Sequence, residues 1–424
     1  MQRRFLGLTA AVAALGTTVS LAGCGSVSGS GDSVTLKLVA ADYDVAGGES
    51  SKNYWADLTA AFEAENPGIK VEVQIESWND VDRKVAEMVK AGKAPDIAQI
   101  GAYADYAAAD KLYSADQMLS IPVQSNFLPP LTEAGEMKRT QYGMPFVAST
   151  RLLFYNKELF TEAGITKAPR TWKELKEDAE QLKLNTDVKY PFALPLGPEE
   201  AQAETMMWLL SGGGGYTDEL GKYAIDSQAN IDTFDWLKEN LVDEELTGPV
   251  APGKLNRKDA FAAFTRGEVG MLNGHPSLLP AAEKAGVKVG KVALPGRDGQ
   301  ADASMGVADW IMGFKQNGHR EEIGKFLDFL FTDANVIEFA GGNDLLPVTV
   351  SAQEAMKHDP EHANLREFLE VLPGSVLPPV GKTSWASVSE NIKKNIGGAV
   401  APGGSAARTL DRISQDARAA ENAE

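Results

Sequence analysis

Three short loops, each after a predicted strand, combine an aromatic residue with acids or amides. Asp42-Tyr43-Asp44 follows the first strand, Trp78 lies in the loop after the second, and Tyr103 lies in the loop after the third. An aromatic ring offers an apolar face to C–H groups, while carboxylates and amides hydrogen-bond to hydroxyl groups. This chemistry suits a neutral polyol. The alternative is that each ring packs over its own sheet edge.

The histidines and serines form no recognisable catalytic or metal-binding pattern. His358 and His362 are four residues apart, as metal ligands on a helix can be, but Pro360 between them disfavours a regular helix. No cysteine or further histidine supports a metal site, and no Gly-x-Ser-x-Gly elbow surrounds a serine. We therefore expect no catalytic residue, no metal and no cofactor.

Composition is that of a globular protein with an acidic surface. The chain has 424 residues, 43% of them hydrophobic and 24% charged, which is ordinary for folded domains. The 59 acids outnumber the 41 bases and give a net charge of −18, which argues against a nucleic-acid partner. With a single cysteine, the chain forms no internal disulfide.

Residues 1–23 have the plan of a secretory signal peptide, with Arg3 and Arg4 before an uncharged apolar stretch. Leu21-Ala22-Gly23-Cys24 resembles a bacterial lipobox, in which the cysteine sulfur receives a diacylglycerol and becomes the new N-terminus. Residues 24–33 are rich in Gly and Ser and should form a lipidated flexible tether. The protein is therefore expected outside the cytoplasm, anchored by lipid to the outer face of the cell membrane.

Strands and helices alternate at the start of the mature chain. Val34–Ala40, Lys70–Glu76 and Asp96–Ile100 are predicted strands, Lys52–Glu65 is a predicted helix, and a second helix follows Asn79. This order predicts an α/β fold with a parallel sheet. In such sheets, ligands bind outside the carboxyl ends of the strands. The three aromatic loops should therefore lie together at one edge.

Several segments, taken in order, resemble the extracellular solute-binding lipoproteins of bacterial ABC sugar importers, the group that includes maltose-binding protein. The resemblance runs from about Val34 to the C-terminal helices, and the order and spacing of the segments are more specific than any one of them. The matching segments are Phe62–Val71, Ala94–Gly101, Tyr142–Ile165, Thr171–Leu175, Phe264–Gly274 and Leu345–Val348. Thr171 and Glu174 also have the spacing of a capping box that begins a helix.

The resemblance implies a two-lobed, periplasmic-binding-protein-like α/β fold with a ligand cleft between the lobes. Lobe one would be residues 34–147 plus 308–346, and lobe two residues 148–307 plus 347–424, with crossings near Ala148, Val307 and Pro347. Closure around the ligand would be a hinge motion, and the closed form would be recognised by a membrane permease.

The resemblance also implies a set of ligand-binding positions. They are Asp42, Tyr43, Asp44, Trp78, Gln99, Tyr103, Ser149, Thr150, Arg151, Gly197, Asn273, His275, Asp309, Trp310 and Trp385. The tryptophan that relatives carry after the Asn273 turn is replaced by Pro276, which removes a stacking platform, and Trp310 is its predicted substitute. Arg151 could instead pair with a buried carboxylate.

The expected function is the substrate-binding component of an ABC importer. The protein, acting as a monomer, would capture a mono- or oligosaccharide and deliver it to the transmembrane subunits of the permease. A receptor for a polyamine or a metal complex is an alternative within the class. Another alternative is a cell-surface carbohydrate-active enzyme, which would require two cleft carboxylates about 5–10 Å apart.

Overall fold

Eleven strands occur in the part of the chain that the computed structural model describes, which is residues 33–43, 50–301 and 303–423. They are β1 (Val34–Asp42), β2 (Ile69–Ser77), β3 (Ile97–Ile100), β4 (Glu136–Met137), β5 (Thr140–Gln141), β6 (Met144–Thr150), β7 (Leu152–Asn156), β8 (Tyr190–Ala193), β9 (Val269–Gly274), β10 (Val289–Val292) and β11 (Gly306–Gly313).

The α-helices surround these strands and follow them along the chain. They are α1 (Ser50–Glu65), α2 (Val81–Lys90), α3 (Ala104–Ala108), α4 (Ala115–Met118), α5 (Ile121–Gln124), α6 (Pro129–Ala134), α7 (Lys157–Glu162), α8 (Trp172–Asn185), α9 (Ala201–Ser211), α10 (Gln228–Leu237), α11 (Arg257–Thr265), α12 (Leu278–Lys284), α13 (Arg320–Leu330), α14 (Asp333–Gly342), α15 (Val350–His358), α16 (Arg366–Val371), α17 (Trp385–Asn395) and α18 (Ala406–Glu421). None of the helices in the described ranges is long and apolar enough to cross a membrane.

A five-stranded sheet has the order β2-β1-β3-β11-β6. Strand β1 pairs in parallel with β2 and β3, as the βαβαβ pattern predicts, and β11 runs antiparallel to its neighbours β3 and β6. The register sets Asp42 beside Ser77, so the ends of β1 and β2 lie at one edge. The start of antiparallel β11 reaches the same edge.

A four-stranded sheet has the order β10-β7-β9-β8. Its helix α8 begins at the predicted capping box, in which Thr171 accepts a hydrogen bond from the Glu174 amide and Glu174 bonds back to Thr171. The apolar residues Trp172, Leu175, Ala179 and Leu182 recur at helical spacing and are buried. The local sequence thus determines where α8 begins, and the apolar face of the helix packs it against the rest of the protein.

The chain passes between the two sheets next to the cleft. It leaves the first sheet at the end of β6, enters the second at Leu152, and returns to the first at Gly306. Beyond Leu346, residues 348 and 350 still hydrogen-bond to residues 126–128 of the first-sheet half. The exact limits of the two lobes stay a prediction. The signal peptide and Cys24 lie outside the described residues.

Candidate ligand-binding cleft

A cleft of about 630 Å³ lies between the two sheets. Its lining residues are Asp42, Tyr43, Trp78, Val147, Ala148, Ser149, Arg151, Glu199, Glu200, Arg257, His275, Ser277, Val307, Asp309 and Leu345. A second cavity, of about 740 Å³, lies between the β4–β5 hairpin and residues 373–383. It contains none of the predicted ligand-binding positions, so the smaller cleft is the candidate site.

The first-sheet wall of the cleft is ordered by a chain of hydrogen bonds. The Tyr43 hydroxyl donates to Asp309 Oδ2 at 2.7 Å and accepts from Gln99 Nε2 at 2.9 Å. Gln99 is fully buried, and its Oε1 accepts the Ala41 amide at 2.9 Å. The Trp78 ring meets the Tyr43 ring edge to face, with centroids 5.3 Å apart. Gln99 therefore positions Tyr43, which in turn fixes Asp309 beside an aromatic pair.

Burial and these contacts change the pKa values of Tyr43 and Asp309. Burial raises the pKa of the Tyr43 phenol well above its usual range, and the nearby Asp309 carboxylate adds to the rise. Burial also raises the pKa of Asp309 to about 6, although the hydrogen bond from Tyr43 opposes this. Tyr43 thus stays a hydrogen-bond donor, and Asp309 is ionised at neutral pH.

The second-sheet wall is a network of two arginines and two glutamates. Arg151 is buried, and its Nη2 lies 3.2 Å from Glu200 Oε1, while its Nη1 donates to Ser149 Oγ at 3.1 Å. Arg257 Nη2 donates to Glu199 Oε1 at 2.9 Å, and Arg257 Nε contacts the other oxygen of Glu200. The two positive charges are therefore matched by two negative ones.

His275 completes this wall as a neutral ring. Its Nε2 lies 3.3 Å from Arg257 Nη1, and its Nδ1 lies 2.8 Å from Ser277 Oγ. Burial lowers the pKa of His275 well below its usual value, and the nearby Arg151 and Arg257 lower it further. Because an arginine N–H can only donate, Nε2 is the acceptor and Nδ1 carries the proton toward Ser277.

Glu204, on α9, lies behind the network and is buried at 3% exposure. Its Oε1 accepts hydrogen bonds from Trp208 Nε1 at 2.8 Å and Asn273 Nδ2 at 2.9 Å. Burial raises the pKa of Glu204 to about 8, and these two hydrogen bonds only partly oppose the rise. The carboxyl is therefore mostly protonated at neutral pH.

We expect Glu204 to make stability fall as the pH rises. Its pKa is higher in the folded chain, about 8 against 4.5, so its contribution is full below pH 4.5 and is lost as the pH rises through 8. The free energy of unfolding of the wild type, measured by urea unfolding, should fall between about pH 5 and 8. Glu204→Gln replaces the protonated carboxyl with an uncharged side chain of the same shape, so the free energy of unfolding should fall less steeply with pH. An equally steep decline in the variant would contradict the assignment.

Seven of the predicted ligand-binding residues line the cleft in the described part of the chain. They are Asp42, Tyr43, Trp78, Ser149, Arg151, His275 and Asp309. Asp44 lies outside the described residues. Whether the seven contact a ligand stays a prediction.

Trp310 and Tyr103 lie in the core, contrary to the prediction that they face the ligand. Both are fully buried, and their rings pack edge to face with centroids 5.3 Å apart. The Tyr103 hydroxyl donates to the Ala134 carbonyl at 2.6 Å. Although β11 shifts register between Asp309 and Trp310, these two neighbours still point to opposite sides of the strand. Asp309 can therefore face the cleft only while Trp310 turns inward.

Gln99 and four other predicted residues also fall away from the cleft lining. Fully buried Thr150 hydrogen-bonds to the Met305 carbonyl and to the Ser375 hydroxyl. Asn273 donates a hydrogen bond to the Glu204 carboxyl. A Cβ on Gly197 would lie 2.6 Å from the Leu255 carbonyl oxygen, so this glycine permits close backbone packing. The Trp385 ring packs against Tyr216 at 5.2 Å. None of these five residues lines the cleft.

The sequence did not indicate Glu200 and Arg257 as site residues. Glu200 immediately precedes α9, and Arg257 is the first residue of α11. A charged residue beside a helix start is common on any surface, so no local signal marked them. Within the described residues, no group of three or more His, Cys, Asp or Glu side chains could hold a metal ion.

Known proteins share both the sequence pattern and the fold. Residues 47–337 match the family model described as bacterial extracellular solute-binding protein. A putative binding protein of Brucella abortus is 27% identical over 377 residues, 88% of this chain and 90% of that protein. The multiple sugar-binding protein of Streptococcus mutans is 28% identical over 323 residues, covering 70% of this chain and 72% of that one.

A crystal structure supports the fold directly. The cyclic α-maltosyl-1,6-maltose binding protein of Arthrobacter globiformis superposes with a TM-score of 0.79 at 17% identity, covering 92% of this chain and 99% of that one. The prediction of a two-lobed α/β fold with a cleft between the lobes is confirmed.

Proposed function

Because the chain belongs to the bacterial extracellular solute-binding protein family, we propose that it is the substrate-binding component of an ABC importer for a carbohydrate. It binds a mono- or oligosaccharide in the cleft, closes its lobes around it and delivers it to the transmembrane subunits of the permease. The observation that carries this proposal is the pairing of an aromatic and carboxylate wall with a facing wall of fixed hydrogen-bonding groups.

Each part of the cleft has a role in this proposal. Trp78 and Tyr43 offer apolar ring surface to sugar C–H groups, and the carboxylates of Asp42 and Asp309 accept hydrogen bonds from hydroxyls. A wrong epimer would leave one of these groups buried and unpaired, which costs about 1–3 kcal/mol. Selectivity between epimers then comes from hydrogen bonding, and we infer that no covalent step accompanies it. Formation of product from a bound oligosaccharide would contradict this.

Closure would bring the two walls together. We propose that a monomer bends between the lobe of residues 34–147 plus 308–346 and the lobe of residues 148–307 plus 347–424. Support comes from the cleft lining, in which Trp78 follows a strand of one sheet and His275 follows a strand of the other. A radius of gyration that is unchanged by a saturating sugar in small-angle X-ray scattering would contradict closure.

The first experiment is a thermal-shift screen of the purified protein against mono-, di- and oligosaccharides, polyols, polyamines and metal complexes. A ligand at 100 times its Kd adds about 2.7 kcal/mol of stability, which is an easily measured shift. A shift produced by one related set of sugars supports the proposal. Shifts produced only by polyamines or metal complexes would overturn the carbohydrate assignment.

Trp78→Ala should weaken binding of a sugar found in this screen by about 10- to 100-fold, because one stacking face is lost. Isothermal titration calorimetry measures the change. Trp385→Ala is the matched control, since that ring packs on Tyr216 outside the cleft lining and its loss should change Kd less than about threefold. Equal losses of affinity in both variants would show that the cleft is wrongly assigned.

We also propose that Cys24 carries the lipid anchor after cleavage of residues 1–23. Support comes from the Leu-Ala-Gly-Cys pattern and from the position of the chain's single cysteine at the end of the apolar stretch. Mass spectrometry of the membrane-extracted protein should find a diacylglycerol on an N-terminal Cys24. Release of the protein from the membrane by high salt, with a free Cys24 thiol, would contradict the anchor.

A further inference from the structure

The positive charges in the cleft are already matched. Arg151 and Arg257 are the only Lys or Arg side chains among the described residues that line it, and each contacts Glu200. Arg257 also bonds to Glu199. Two arginines and two glutamates thus make a wall with no net charge. An anionic ligand would have to displace one of these carboxylates to gain a cationic partner.

The opposite wall adds negative charge. It contributes the carboxylates of Asp42 and Asp309, and Asp82 lies close enough behind to act electrostatically on Asp309. His275 is held neutral and so does not offset them. Among the described residues that line the cleft, the formal charges therefore sum to about −2.

We propose that the cleft selects neutral and positively charged carbohydrates over anionic ones, with the carboxylates of Asp42 and Asp309 as the determinants of this selectivity. This inference rests on the proposed carbohydrate-binding function. It names the substrate class: neutral sugars and sugars with a free amino group are admitted, while uronates and sugar phosphates are rejected.

Three kinds of contact produce this preference. A protonated amine near Asp309 gains a charge-assisted hydrogen bond, while a carboxylate at the same position meets a like charge in a poorly solvated cleft. The faces of Trp78 and Tyr43 carry negative quadrupole charge, which also favours a cation over an anion. Protonation of Asp309, whose pKa is about 6, would weaken the preference in acid.

The test compares three charge forms of one sugar ring at low ionic strength. The probes are glucose, glucosamine and glucuronate, the equivalent galactose and mannose series, and cellobiose with its free-amine chitosan dimer and its uronate. In the series that binds, the uronate should bind at least about tenfold more weakly than the neutral parent, and the amine at least as tightly as the parent. A uronate that binds as tightly as its neutral parent would overturn the inference.

Asp309→Asn should reduce the difference between amine and uronate affinities at least about fivefold, because it removes one wall charge while the new amide oxygen can still accept from Tyr43. Asp42→Asn is a second such variant in case the first does not fold. Asp57→Asn, an exposed change on α1 away from the cleft lining, is the control of equal charge and should leave the difference unchanged. An unchanged difference in both cleft variants would overturn the inference. If no sugar of any charge binds, the proposed function itself fails, whereas a preference for anionic sugars contradicts only the charge selectivity.

Discussion

Trp310→Ala should lower the free energy of unfolding by about 3–5 kcal/mol, as expected for a fully buried large aromatic side chain. The indole has no exposed surface and packs against Tyr103. The backbones of Gly135 and Gly143 approach it so closely that a Cβ on either would lie 3.1 or 3.0 Å from the ring. Truncation would leave a cavity between β11 and this glycine pair. Guanidinium unfolding followed by circular dichroism measures the loss.

Trp385→Ala is the matched comparison for stability. Trp385 is only partly buried at the first position of α17, and its removal should cost about 1–2 kcal/mol. The folded fraction of Trp310→Ala should keep its sugar affinity to within a few fold. If Trp310→Ala unfolds like the wild type but no longer binds sugar, the indole faces the ligand and its placement in the core is wrong.

The local parts of the fold could be predicted from the sequence. The βαβαβ order follows from periodicities of two and about four residues, and the pairing of β1 with β2 and β3 confirms it. The start of α8 follows from the Thr171 and Glu174 spacing alone. In both cases the interactions that decide the structure join residues close in sequence or strands of one supersecondary unit.

Burial of the aromatic residues could not be predicted in this way. Tyr103 is covered by the chain segment around Gly381, where a Cβ would lie 3.0 Å from the Tyr103 hydroxyl and 2.5 Å from the Glu136 carbonyl oxygen, and Trp310 is covered by the backbones of Gly135 and Gly143. Val380 packs on the same cluster. These contacts join residues that lie far apart along the chain. A loop aromatic followed by polar residues looks the same in sequence whether or not such a segment covers it.

The residues of the charged wall could be predicted only in part, for the same reason. The sequence left open whether Arg151 faces the ligand or pairs with a buried carboxylate; in the structure it pairs with Glu200, which is partly exposed. The identity of this partner depends on how α9 docks, and Arg257 arrives from a helix still further along the chain. Residue type therefore predicted that a partner was needed, whereas tertiary packing decided which residue supplies it.

Glu200→Gln should lower the free energy of unfolding by about 3 kcal/mol, because it leaves the Arg151 guanidinium buried without a carboxylate. Only 6% of the Arg151 side chain is exposed, and burial already lowers its pKa against the stabilising effect of Glu200. Glu199→Gln is the matched control. It breaks a more exposed pair with Arg257 and should cost less than about 1 kcal/mol. Urea unfolding at about pH 7.5 without sugar compares the two variants.

The double variant Arg151→Met/Glu200→Gln distinguishes the destabilisation caused by an unpaired buried charge from the stabilisation that the ion pair itself provides. Removing both charges eliminates the unpaired buried guanidinium, so the double variant should regain most of the stability lost in Glu200→Gln. A double variant less stable than Glu200→Gln would mean that Arg151 stabilises the fold by packing rather than through its charge. Recovery of stability without recovery of sugar affinity would instead show that the pair contributes hydrogen-bonding groups and shape to the cleft, because a wall without this pair would then be sufficient for folding but not for binding.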